Sequence, residues 1–380
     1  MIDYDDMIVE ISNRPSMIGT EVTEMNQKHS LVQELWALAG QANEKEVYRI
    51  ANESGLPLNW IKKIPKVNGH SGTTKLMSER NVLLLRDRKS NFIDKFQHPL
   101  GRCARFFKLS TYNNCNYWCE YCYLYLTFRT SPISTHFVNY DQMLNEIVAF
   151  DRKRVVSSLR VLNLGELGDP LAVDDVTSFS KIVVPFMPQE APNTKLLFLT
   201  KSNMVDNLLG LSHGGQTIVS FSVNTDTVHS YLEHRTPSPI ERLGAAKRVQ
   251  EDGYEVRLRI DPVFYYSSWE KDYHALVEQI FSLFIPSRIT IGEYRPATGL
   301  LHHIEERFPS TSLLKINGSL IAEAGKLRYP HAKRLQMFKT IIASIRKHNS
   351  QVAIALCKED ASVWQDVGLG NKKLCCNCLG

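Results

Sequence analysis

"STYNNCNYWCEYCYLYLTF", residues 110–128, places three of the chain's eight cysteines within eight positions, among tyrosine, tryptophan and phenylalanine. The spacing is Cys115-x3-Cys119-x2-Cys122, and it comes straight after "RFFKLS" (105–110), an aromatic and apolar run that reads as a strand. A closed structural zinc site takes four ligands and usually repeats a Cys-x2-Cys pair, so three thiolates in this spacing do not suit it. They do suit a four-iron, four-sulfur cubane with one iron left open, because thiolates are the standard cluster ligands. An open iron is a binding site, and a loop at the C-terminal end of a strand is where βα folds carry their chemistry.

Beyond the motif, short apolar or β-branched runs alternate with helical patterns, the signature of βα units around a parallel sheet. The strand candidates are "RFFKLS", "LRVLNLG" (159–165), "KLLFLT" (195–200), "TIVSFSVN" (217–224), "EVRLRIDPV" (255–263) and "RITIGEYR" (288–295). Tyr140, Met143, Leu144, Ile147 and Val148 share one helical face after a capping pair of Asn139 and Gln142, and "SPIERLGAAKRVQEDG" (238–253) is a helix stopping at Gly253. Right-handed crossovers would curl six such units, over residues 101–300, into an open or closed barrel. Residues 1–100 read as a helical N-terminal cap, from the amphipathic "SLVQELWALAGQANEKEVYRIANESGLP" and the charged "KLMSERNVLLLRDRKS". Residues 301–380 read as a C-terminal extension: a helix burying Leu335, Phe338, Ile342 and Ile345, a strand "QVAIALC", and the terminus "KKLCCNCLG".

The composition is that of an ordinary globular protein of 380 residues, 43% hydrophobic and 22% charged. The start "MIDYDDMIVE" is acidic and unlike a signal peptide, and no run is long enough to span a membrane, so a cytoplasmic protein with no membrane partner is expected. In a reducing compartment, clustered cysteines favour metal or redox chemistry over disulfides. Cys103, ahead of the first strand, reads as a small buried residue. A net charge of +5 and a pI of about 8.6 tolerate a nucleic-acid partner without arguing for one.

With Tyr121 before its last cysteine, the motif resembles the signature of the radical S-adenosylmethionine enzymes. That resemblance implies a radical SAM partial (β/α)6 barrel of α/β class, a 4Fe-4S cluster on Cys115, Cys119 and Cys122, and S-adenosylmethionine chelated at the open iron. It implies reductive cleavage to a 5'-deoxyadenosyl radical, with an electron donor such as flavodoxin or ferredoxin. "CEYCYL", "LTKSNMVDNLL", "FSVN", "EHRTPSPIERLGAAKRVQEDGYEVRLRIDPV" and "SSWEKDY", across roughly residues 80–300, further resemble the spore photoproduct lyase group, which reverses a thymine–thymine lesion in DNA. Carried over, Lys201 would meet the S-adenosylmethionine carboxylate, Ser222 and Asn224 its polar groups, and Gly165 with Glu166 its ammonium. Tyr121 and Tyr123 would help relay a radical. Arg257, Arg259 and Asp261 alternate along one strand and so share an inward polar face, with Arg259 a further cofactor contact.

The sequence departs from that group twice. The lyases carry a hydrogen-donating cysteine after the second strand, where this chain has Glu166 and its neighbours. The chain also carries Cys357, Cys375, Cys376 and Cys378, which suit a second cluster, a zinc ion or a soft metalloid such as trivalent arsenic. The other roles open to them are a thiol that returns hydrogen, if the tail folds back over the barrel mouth, or none. From the missing donor the expected substrate is a small molecule or peptide, with DNA lesion repair and metalloid chemistry as alternatives.

Overall fold

The computed structural model describes residues 31–65, 79–96, 105–131, 133–153, 160–323, 325–370 and 376–380. Its main sheet has eight strands: β1 (Ile93–Phe96), β2 (Phe106–Leu109), β3 (Val161–Asn163), β4 (Lys195–Thr200), β5 (Thr217–Ser222), β6 (Glu255–Val263), β7 (Arg288–Glu293) and β8 (Ala353–Leu356). Their order in space is their order in the chain. Each neighbouring pair from β2 to β8 is parallel, and β1 joins β2 antiparallel. Helices α1 (Tyr140–Asp151), α2 (Phe179–Glu190), α3 (Pro239–Glu251), α4 (Trp269–Leu283) and α5 (His331–His348) lie in the connections.

Parallel strands in chain order, joined by crossovers of one hand, collect their helices on one face and leave the other to line an interior. The alternation along the strands shows this. Val219, Phe221, Leu258, Ile260, Ile289 and Ile291 belong to the core shared with the helices, whereas Ile218, Leu197 and Val161 form a separate small cluster. Seven strand spacings would hold β1 and β8 roughly 34 Å apart in a flat sheet. Instead the ammonium of Lys358, just past β8, lies 5.9 Å from the ring centre of Phe96 in β1. The sheet is therefore strongly curled, yet among the described residues its two edges do not pair, so no closed barrel forms.

Two expectations need correction. The described part of the first hundred residues is not a helical cap. Leu58–Ile61, Glu34–Leu38, Val82–Arg86, Ser134–Phe137 and Tyr112–Asn113 lie side by side in that order as a second, five-stranded sheet, and Glu44–Ser54 is its helix. "ELWAL" alternates between half-buried and buried positions, and "VLLLR" is too short a run for a helix, so strand pairing overrides the helical reading. Residues 1–30 lie outside the described residues. Nor is the C-terminal region a mere extension, since "AIAL" is the last parallel strand of the main sheet. Among the described residues, no helix is long and apolar enough to cross a membrane.

The interior of the curled sheet is occupied by the tail. Asn377 is completely buried. Its side chain donates to Ser220 Oγ on β5 (2.7 Å) and to the Leu258 carbonyl on β6 (2.9 Å), and accepts from Thr290 Oγ1 on β7 (2.9 Å). Arg257 donates to the Asn377 carbonyl (2.7 Å), and Arg288 to those of Cys376 (2.7 Å) and Leu379 (3.1 Å). Replacing Asn377 with Ala strands buried partners on three strands, so a loss of about 1–3 kcal/mol in urea unfolding is expected, together with faster alkylation of the Cys378 thiol.

Candidate active site

The cysteine loop is clamped between the two sheets. Asn114 takes a left-handed conformation (φ 66°), which asparagine tolerates better than most residues, and this turn delivers Cys115. Buried Arg80, just ahead of the small sheet's central strand, donates to Asn114 Oδ1 (2.8 Å) and to the Cys115 carbonyl, with its guanidinium 5.1 Å from the Trp118 ring. Trp118–Cys119 pairs antiparallel with Glu233–His234, which ties the middle of the loop to the main domain. A Cβ on Gly168 would sit 2.2 Å from the Asn114 carbonyl oxygen, so only glycine lets that neighbouring loop approach.

Cys115 and Cys119 are buried, Cys122 is half-buried, and all three are free and line one cavity of about 550 Å³ at the C-terminal ends of the strands. Burial pushes the Cys115 thiol up to about 12, takes Cys119 well above its ordinary value, and raises Cys122. Burial thus favours the neutral thiols, and a bound metal cluster would supply the positive charge that turns them into thiolates. Three soft donors on one wall of an otherwise open cavity fit a cluster with a free iron. The described residues hold no group of three or more His, Cys, Asp or Glu side chains close enough for a single metal ion, whereas a cubane spreads its ligands over separate irons.

Opposite the thiols stands a charged hub. Lys201 Nζ lies 3.2 Å from Ser222 Oγ, 4.0 Å from Glu233 Oε1 and 5.6 Å from the centre of the Tyr121 ring. Asp169 fixes the start of this segment by accepting from the Lys201 amide (2.6 Å) and from Thr200 Oγ1 (2.7 Å). Glu233 is buried, accepts from the Tyr121 hydroxyl, and pairs with fully buried Arg242 at 2.6 Å. Burial alone would raise Glu233, but Arg242 and Lys201 outweigh it and hold the carboxyl at about 2. Sequence patterning picks out neither Glu233 nor Arg242. The legible signal is Arg242 itself, which shares the buried face of α3 with Ala245, Ala246 and Val249, where an arginine requires a buried acid.

The other expected residues divide. Glu166 and Gly165 line the cavity, but Gly165 has a packing reason of its own, since a Cβ there would lie 2.2 Å from Leu199 Cβ. Tyr123, 49% exposed, lines the cavity and donates to the Glu166 carbonyl. Asn224 is not brought to the cavity. Its amide donates to the Pro262 carbonyl (2.7 Å) and accepts from Tyr273 (3.0 Å) and the Thr225 amide (3.0 Å), so it joins strand ends.

The cavity floor is the tail. Cys378 Sγ lies 3.4 Å from Arg259 Nη2 and 3.8 Å from Asn163 Nδ2. Beside it Arg295 grips Asp261 through two bonds of 3.1 Å and donates to Cys357 Sγ at 3.2 Å. Burial would raise Asp261, but Arg295 and Arg259 hold it at about 2, while burial pushes the Cys357 thiol up to about 11. A Cβ on Gly292 would meet Asp261 Cγ at 2.7 Å, so a glycine makes room for this pair, and sequence reading misses Arg295. Of the residues expected to hold a second metal or cluster, Cys357, Cys376 and Cys378 are described and line the same cavity. Cys357 and Cys378 are bonded to separate guanidiniums, and these two with Cys376 do not gather for one ion; Cys375 and Cys103 lie outside the described residues.

The chain is 27% identical over 209 residues to the spore photoproduct lyase of Clostridium acetobutylicum, and 26% identical over 286 residues to that of a Geobacillus species. The matches cover 54% and 71% of this chain, and 62% and 79% of those proteins, so less than two thirds of the first relative is spanned. Among solved structures, a cysteine-to-serine variant of spore photoproduct lyase superposes with a TM-score of 0.74 at 21% identity, covering 86% of this chain and 99% of that one. A variant of the lyase with bound AdoMet and dinucleoside spore photoproduct also gives 0.74, at 20% identity, covering 85% and 98%. The family model described as spore photoproduct lyase matches residues 39–317, from the small sheet through the cysteine loop and the strands around the cavity to β7, and the chain therefore belongs to the spore photoproduct lyase family.

Proposed function

We propose that this chain is a radical S-adenosylmethionine enzyme that repairs a thymine–thymine lesion in DNA, in place of the small-molecule or peptide substrate expected from the sequence. The observation that carries the reading is that the tail thiol Cys378 shares one cavity with Cys115, Cys119 and Cys122, so the missing donor has a replacement. The family match supports the same substrate class. So does the rim. Lys108, Lys326 and Lys358 line the cavity with Phe96 and Phe106, cations for phosphates and rings on which bases stack. Burial, followed by repulsion from Lys358 and Arg295, lowers Lys326, as expected where cations crowd without an anion.

When bound, a 4Fe-4S cluster and S-adenosylmethionine supply the electron and the 5'-deoxyadenosyl radical. The chain's own residues do the rest. Lys201, steadied by Glu233 and Ser222, would present its ammonium to the cofactor's carboxylate, and Glu166 would receive the cofactor's ammonium. Tyr121, bonded to Glu233 and packed 5.4 Å from Phe264, walls the cluster side. Cys378 would return a hydrogen atom to the substrate carbon, itself becoming a thiyl radical, with Arg259 beside its sulfur.

Three outcomes test the reading. Replacing Cys115, Cys119 and Cys122 together with Ala should abolish both iron binding, counted after anaerobic reconstitution, and formation of 5'-deoxyadenosine. Lys201→Ala and Glu166→Ala should each weaken S-adenosylmethionine binding by roughly tenfold to a hundredfold, as loss of a charge-assisted contact of about 1.5–3 kcal/mol implies, with iron content unchanged. Cys378→Ala should still form 5'-deoxyadenosine from a dinucleoside spore photoproduct but release severalfold less repaired product per 5'-deoxyadenosine. Unchanged coupling in that variant returns the tail to a purely structural role.

A further inference from the structure

We propose that the basic cleft behind the cysteine loop is the docking site of an acidic one-electron carrier protein. The inference rests on the cluster reading above and names the partner that would serve it. The cleft has a volume of about 420 Å³, and its lining includes Arg86, Arg88, Lys89, Asn113, Phe128 and Phe137. None of its lining residues lines the active-site cavity. Asn113 and Phe128 bracket the segment that carries Cys115, Cys119 and Cys122. Asn113 precedes Cys115 by two residues, so their Cα atoms are at most about 7.6 Å apart. A carrier seated here is close to the thiols while the lysine-rimmed mouth stays free for a polyanionic substrate.

The charge of the cleft is built in. The guanidiniums of Arg86 and Arg88 lie 6.0 and 5.0 Å from the same Phe137 ring, and Arg88 is also 5.7 Å from Phe92. Two like charges on one aromatic face favour an incoming anion. Three carboxylates stand nearby, and Asp94 and Glu146 act on Arg88, so the cations left to an incoming anion are Arg86 and exposed Lys89. Asp87 accepts from the Ala42 amide (2.9 Å) and from Asn43 (2.8 Å), and Glu146 accepts from the Phe92 (2.7 Å) and Ile93 (3.2 Å) amides. Asp94 reaches Arg88 at 3.6 Å, and Lys89 is exposed at the edge. In the transfer, one electron leaves the carrier, which is oxidised by one, and enters the cluster, which is reduced by one; no bond forms or breaks. The carrier is favoured over nucleic acid because the cleft adjoins the thiols and not the cavity mouth.

The experiment compares wild type with an Arg86→Glu/Lys89→Glu double variant and an Arg86→Gln/Lys89→Gln control. 5'-Deoxyadenosine formation is driven either by dithionite or by reduced flavodoxin, and oxidised flavodoxin is titrated directly. The expected result is a roughly tenfold weaker affinity and higher KM for flavodoxin in the Glu variant, a smaller loss in the Gln control, a flatter salt dependence, and dithionite rates within about twofold of wild type. Equal losses with both reductants, or no loss with either, overturn the proposal. So does weaker binding of a single-stranded oligonucleotide with unchanged flavodoxin kinetics, which would make the cleft a nucleic-acid surface. Absence of dithionite-driven 5'-deoxyadenosine in wild type would instead overturn the cluster reading, and the flavodoxin titration would still decide docking.

Discussion

A curled sheet whose helices all lie outside has an interior lined only by its own inward residues, and in this chain many of those are polar. Ser220, Ser222, Arg257, Arg259, Asp261, Arg288 and Thr290 sit on three adjacent strands, and a buried guanidinium or hydroxyl without a partner is costly. The pairing differs with depth. At the lower level Arg257 and Arg288 take tail carbonyls, and at the next Asn377 spans Ser220, Leu258 and Thr290. At the mouth Asp261 binds Arg295, and Glu233 binds Arg242. Only near the mouth does the interior open, so the reactive cavity is the part that the chain does not fill for itself.

The small sheet and the C-terminal region act on this cavity from outside. Arg80 reaches from the start of the small sheet's central strand to the carbonyl of Cys115, so that sheet fixes the cysteine loop. In the C-terminal region, Arg328 bridges Glu293 at the end of β7 to Glu359 after β8, and Arg334 of α5 reaches Glu323 at 2.9 Å. Removing one partner from such a buried network leaves an uncompensated charge, which makes it a firm seam between the last two strands and the hairpin beside the cavity.

Sequence was most informative where structure is local. "KLLFLT" and "EVRLRIDPV" coincide with β4 and β6 because each is a short β-branched or apolar run bounded by turn residues. The helix after Ser238 was legible from its period and its stop at Gly253, and the structure adds a reciprocal capping box of Ser238 and Glu241. The cysteine loop and Lys201 were legible from spacing and resemblance. What stayed hidden depends on distant partners. The bonds of Asn377 join residues 87 to 157 positions apart, and the hub around Glu233 joins Tyr121 to it over 112. The first hundred residues misled because their amphipathic patterns satisfy a helix as well as a half-buried strand until the neighbouring strand is known.

The tail's position also has a consequence for the order of events during synthesis. Residues 376–380 leave the ribosome after all eight strands that surround them. Until they arrive, Arg257 keeps only its bond to Glu255, the groups of Arg257 and Arg288 that take tail carbonyls are left to water, and the floor of the cavity is missing. The nascent sheet is therefore hollow and hydrated, and the floor of its cavity is laid only once residues 376–380 have followed the strands out.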